Sequence, residues 1–135
     1  MGEKHSGQYN EYFESSLTSK IIGAAIAVHR VLGPGLLEAV YQVCLQEELT
    51  ANQLPWEAQV NVPVTYRGKR LDTGYRIDLL IDRKVVVELK AVETVLPVHE
   101  AQLITYLKVT GCKVGLLINF NVPLLKRGGI MRRAV

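Results

Sequence analysis

The chain has no apolar run of the roughly 18–20 residues that cross a bilayer, and its opening, MGEKHSGQYNEYFESS, lacks the apolar centre of a secretory signal. A soluble, cytoplasmic protein with no membrane association is expected. Cysteine is scarce: Cys44 and Cys112 stand far apart with no CxxC pairing, which argues against a disulfide framework or a Cys-rich zinc site. Both read as buried, reduced thiols. Internal repeats and low-complexity segments are also missing from the 135 residues, 48% hydrophobic and 21% charged, which suffice for one compact core. Acidic residues are absent from one stretch. Residues 108–135 carry six basic side chains and none acidic, whereas residues 1–107 carry ten basic and thirteen acidic, so a mild overall +3 conceals a basic C-terminal segment.

Residues 1–16 show no apolar periodicity and are expected to form a flexible tail, leaving 17–135 as a single domain. Ile21, Ile22, Ala25, Ile26, His29 and Leu32 recur at helical spacing up to Gly33-Pro34-Gly35, which forces a corner. A second helix is predicted over about Leu36–Thr50. From Trp56 the pattern turns to β, with Val60, Val62, Val64 and Tyr66 alternating before the turn signal Arg67-Gly68-Lys69, and Pro63 marking an edge or a bulge. Two short strands, Tyr75–Ile81 and Val85–Lys90, form a hairpin through Asp82-Arg83-Lys84. Pro97 opens a helix closed at Thr110-Gly111, and Lys113–Phe120 is apolar enough for a central strand, with Ile130–Val135 as a last short one.

The hairpin carries the chemistry. Side chains alternate along a strand, so Glu88 and Lys90 share one face of Val85–Lys90, and Asp78 shares a face with Arg76 and Leu80. A three-residue loop pairs Ile81 with Val85 and so Asp78 with Glu88; a two-residue loop would put the carboxylates on opposite faces. Facing carboxylates suit Mg²⁺ or Mn²⁺, hard cations that keep several waters for a phosphate, and a neighbouring lysine can orient or deprotonate an attacking water. The plainer alternative is an exposed strand face with a cross-strand salt bridge.

Asp78-x9-Glu88-Leu89-Lys90, set between an upstream helix and a downstream helix-strand pair, resembles the α-β-β-β-α-β core of the PD-(D/E)XK nuclease superfamily. Gly35-Leu36-Leu37-Glu38-Ala39-Val40-Tyr41 is similar to the signature of its GxxExxY branch. His29–Gly35, Tyr75–Leu80, Val87–Val92, His99–Gln102, Tyr106–Lys108 and Gly115–Phe120 look like that branch's recurrent blocks, in order, over about residues 17–135. The resemblance implies a restriction-endonuclease-like α/β fold, a mixed, mostly antiparallel sheet flanked by helices.

It also implies roles. Asp78, Glu88 and the Leu89 backbone carbonyl would bind the metal, Glu38 would complete its shell directly or through water, and Lys90 would be the catalytic lysine. Gln102-x3-Tyr106 looks like the QxxxY element of the RecB-like branch, with Gln102 at the reacting group and Tyr106 at the nucleic-acid backbone. His99, Gln102 and Tyr106 lie at i, i+3 and i+7 and can share one helix face. His99, Arg76, Lys126, Arg127, Arg132 and Arg133 are candidate contacts to nucleic acid. Simpler roles stand beside these: Glu38 is favoured in a first helical turn by the macrodipole, Arg76 can neutralise Asp78, and His29 and Trp56 read as packing residues. The expectation is Mg²⁺- or Mn²⁺-dependent phosphodiester hydrolysis in nucleic acid, DNA before RNA. A non-catalytic nucleic-acid-binding or interaction module of a repair or defence assembly is the alternative. At this length, a second copy or a protein partner would supply further binding surface.

Overall fold

The computed structural model describes the backbone from Gly2 and the side chains from Ser16 onward. Its elements run α1 (Gly2–Leu32), α2 (Glu38–Ala51), β1 (Trp56–Asn61), β2 (Val64–Tyr66), β3 (Lys69–Leu71), β4 (Arg76–Ile81), β5 (Val85–Lys90), α3 (Pro97–Thr110), β6 (Val114–Asn119) and β7 (Ile130–Ala134). The flexible tail expected over 1–16 falls on residues whose side chains, up to position 15, lie outside the described ones. Among the described residues, no helix is long and apolar enough to cross a membrane.

Five strands form one sheet in the order β1-β4-β5-β6-β7. Only β5 and β6 are parallel, joined through α3; the other pairs are antiparallel. Helices cover both faces. Ile21, Ala25 and Val28 of α1 and Tyr41, Leu45 and Leu49 of α2 pack on Val85, Val87 and Leu89, while Leu103, Tyr106 and Leu107 of α3 pack on Val86 and Leu117 from the other side. β5 is therefore buried on both faces, and the run Val85-Val86-Val87 follows from that. Glu88 and Lys90 take the α3-side positions where the alternation would place the next apolar residues.

One correction concerns the first β segment. The single alternating strand expected from Val60 to Tyr66 is two: β1 stops at Asn61 before Pro63, which cannot donate to a ladder, and β2 pairs only with β3, forming a separate hairpin. Trp56 is half-buried and packs against the core, and its indole N–H donates to Thr50 Oγ1 at 2.9 Å.

The corner before α2 is tied by Tyr41. Its hydroxyl donates to the Gly33 carbonyl at 2.6 Å and accepts from the Leu36 N–H at 3.2 Å, and its ring stacks on Phe120 with centroids 4.4 Å apart. Gly35, at φ +99°, takes a conformation that side chains avoid. On the same side His29 Nε2 lies 3.1 Å from the Phe120 carbonyl and 2.9 Å from that of Val122, the packing role its apolar stripe suggested.

Candidate functional site

The β4–β5 register is the one a three-residue loop dictates: Ile81 opposite Val85, Leu80 opposite Val86, Leu79 opposite Val87. One step further, where Asp78 meets Glu88, side chains replace the backbone ladder. Glu88 Oε2 accepts from the Asp78 N–H at 2.8 Å, and Asp78 Oδ2 accepts from the Leu89 N–H at 2.8 Å. Each carboxylate thus clips the opposing strand with one oxygen.

β1 is distorted at the same level. Gln59, between the Ala58–Leu79 and Val60–Ile77 pairs, has φ +53°, and its amide hydrogen-bonds the Asp78 carboxylate and donates to Gln42 Oε1 at 3.1 Å. Ala58 and Leu79 pack on the α1/α2 side, but Val60 and Ile77 on the α3 side. Both strands change faces at the Gln59–Asp78 step. Gln42 of α2 also reaches Gln46 at 3.2 Å and the Asp78 carbonyl at 3.4 Å.

Electrostatics set this cluster apart. Glu88 is 5% exposed. Burial and then the Asp78 carboxylate push its carboxyl up to about 8, with a smaller push from Glu38, against the Asp78 N–H and Lys90. Asp78 is raised by burial despite the Leu89 N–H, Lys90 and Gln59. Half-buried Glu38 is raised by burial and by Asp78. Lys90 opposes the rise of all three. From α3, the Gln102 amide donates to the Tyr106 hydroxyl at 2.6 Å; burial raises that phenol, and Glu88 and Asp78 add to the rise. Asn119, buried at the end of β6, holds the segment after Lys90, its side chain bonding both the N–H and the carbonyl of Val92 at 3.1 and 2.9 Å.

The structure therefore gathers Asp78, Glu88, Leu89, Lys90, Glu38, Gln102 and Tyr106. Other candidates go elsewhere. Tyr106 is only 1% exposed, so its ring cannot lie against a polymer; it buttresses Gln102. Arg76 does not neutralise Asp78, because its guanidinium turns to Asn61 at 2.6 Å and Asp72 at 3.5 Å. His99 Nδ1 accepts from the Leu96 N–H at 3.0 Å, a helix-capping bond. Arg133 pairs with Glu100 of α3. Arg132 lies opposite Leu116 and Arg133 opposite Gly115, on alternate faces of β7, so the two do not form one basic surface. Lys126 and Arg127 lie on the loop before β7, where with His29 and Arg30 they line a separate cavity of about 280 Å³.

The expected three-carboxylate cage is not preformed: among the described residues no group of three His, Cys, Asp or Glu side chains stands ready to hold a metal ion. The donor chemistry nevertheless fits a hard divalent ion, because the buried Glu88 and half-buried Asp78 carboxylates meet across the hairpin and carry charge that burial penalises.

A model of the PD-(D/E)XK nuclease superfamily matches residues 15–133. The chain belongs to that superfamily. Comparison with curated proteins and with solved structures found no match. The mixed sheet between helical layers is the superfamily's restriction-endonuclease-like fold, whose nucleases generally use divalent metals.

Sequence reading missed Gln42, Gln59 and Asn119. Gln42 had a signal, since it follows Glu38 by four residues on one helix face. Gln59 had none: nothing local announces a left-handed residue in mid-strand.

Proposed function

We propose that this protein is a GxxExxY-branch nuclease that hydrolyses phosphodiester bonds in DNA with Mg²⁺ or Mn²⁺. The observation that carries this reading is the reciprocal clip of half-buried Asp78 and buried Glu88 beside Lys90, paired carboxylates whose shared charge a cation or a proton would relieve. Asp78, Glu88 and the Leu89 carbonyl would hold the ion, with Glu38 reaching it through water. A bound divalent ion supplies positive charge to a phosphoryl oxygen and lowers the pKa of water.

The chain's own groups do the rest. Lys90 orients the attacking water and offsets charge developing on the phosphate, and the Gln102 amide, steadied by Tyr106, donates to the scissile group. Gln59 and Gln42 hold Asp78 in place. A second reading, with which the superfamily match is equally compatible, is a domain that binds nucleic acid without cutting it.

A panel of single-stranded, duplex, nicked and branched DNA plus RNA, with Mg²⁺, Mn²⁺ or chelator, separates the two. Cleavage should need metal and fall by about 10²-fold or more in Lys90→Ala and Glu88→Ala, with melting curves showing folded variants. Wild-type-like cleavage in either variant, or retention of oligonucleotide with no product in any metal, refutes the catalytic reading.

A further inference from the structure

The β2–β3 hairpin stands apart from the main sheet. All six of its strand residues are exposed, Arg67 and Gly68 at φ +51° and +77° make its two-residue turn, and its base is closed by the Val62 N–H donating to the Tyr75 carbonyl at 2.9 Å. Two three-residue strands extend it about 10 Å. No apolar burial explains such an arm, and its charge is lopsided. Arg67, Lys69 and Arg70 crowd its tip, with Asp72 already paired to Arg76. Lys69 and Arg70 make no ion pair among the described residues, and the Arg67 guanidinium lies over the exposed Tyr66 ring, 5.5 Å from its centroid.

Topology puts the arm at the site. It leaves the sheet after Asn61 and returns at Arg76, two residues before Asp78; because β4 and β5 are antiparallel, this is the end of the sheet at which β5 reaches Glu88 and Lys90. Tyr75, at the arm's base, packs edge-on against Tyr106, the partner of Gln102. We infer that the β2–β3 hairpin is a backbone clamp: Arg67, Lys69 and Arg70 grip nucleic-acid phosphates on one flank of the carboxylate cleft. The inference rests on the function proposed above and gives it a binding surface that the paired Arg133 does not provide.

The phosphate backbone fits better than an acidic protein. The charges sit on a narrow, two-stranded projection with an exposed tyrosine, a shape that tracks a polyanion and offers a ring to a base. An acidic protein partner would leave oligonucleotide binding unchanged when the arm is neutralised.

The test compares Lys69→Ala/Arg70→Ala with Lys108→Ala/Lys113→Ala, an equal loss of charge from exposed sites at the opposite end of β6 and α3. Fluorescein-labelled duplex and single-stranded DNA are titrated in chelator across a KCl series, with melting curves as the folding control. The hairpin variant should bind roughly tenfold more weakly at low salt, with its log–log salt slope shallower by about 2, and the control should stay near wild type. Equal changes in the two variants, or wild-type binding by the hairpin variant, overturn the clamp. If wild-type protein still cleaves in that second case, the nuclease reading survives alone; wild-type protein that neither binds nor cuts ends both.

Discussion

Gln59 shows how one residue gives up conformational ease for a contact. A side chain in the left-handed region costs on the order of 1 kcal/mol, yet Gln59 sits there at an exposed position of an edge strand, bonded to Asp78 and Gln42. Glycine would relieve that strain and remove the amide. Gln59→Gly should therefore melt within about 1 kcal/mol of wild type or above it, while single-turnover cleavage slows and needs more Mg²⁺. A variant that is destabilised but cleaves normally would show that Gln59 serves the strand rather than Asp78. At the same scale, the sequence could place Asp78 opposite Glu88, because loop length fixes register. It could not show that each carboxylate takes a backbone N–H from the opposing strand, which depends on how the ladder opens.

Among the elements, the corner between α1 and α2 explains the spacing of Gly35, Glu38 and Tyr41. The glycine makes the turn, the glutamate begins the helix beside the cluster, and the tyrosine returns one turn later to bond the Gly33 carbonyl and the Leu36 N–H. Tyr41→Phe keeps the ring on Phe120 but leaves both backbone groups without that partner, so it should cost about 1–3 kcal/mol in chemical denaturation and slow cleavage by loosening Glu38. Unchanged stability would mean water replaces the hydroxyl. A second contact tests the α3 layer: a Cβ on Gly115 would lie 2.7 Å from Leu103 Cδ1, and Gly115→Ala should destabilise by about 1–3 kcal/mol, read from the same denaturation curves. Helices and central strands were legible because burial imprints a period on them. The β2–β3 arm buries almost nothing, so its alternation merged with that of β1. Arg133 likewise looked like surface charge, since Glu100, its partner, lies 33 residues away in sequence.

Charge organises the whole molecule by place rather than by sum. The basic C-terminal segment is divided among the end of α3, the start of β6, a loop and two faces of β7, while the carboxylates collect where β1, β4 and β5 meet α2 and α3. Folding therefore depends on pH in a definite direction. The Glu88 carboxyl, ordinarily near 4.5, is raised to about 8, so across that window the folded protein holds a proton that the unfolded chain has released. The Glu88 contribution to stability is fullest below pH about 4.5 and is lost as pH rises through about 8, by at most ~1.4 kcal/mol per pH unit; the upward shifts of Asp78 and Glu38 act in the same sense. A divalent cation favours the ionised pair and competes with those protons, so Mg²⁺ should raise the melting temperature more at pH 8 than at pH 5. Calorimetric scans in chelator and in Mg²⁺ across this range measure both effects. Glu88→Gln, which cannot ionise, should flatten the chelator series and shrink the Mg²⁺ response. A melting temperature that rises from pH 5 to 8 without metal, or equal Mg²⁺ stabilisation at both ends, would mean that the Asp78–Glu88 pair is balanced by the protein alone and has no need of an ion.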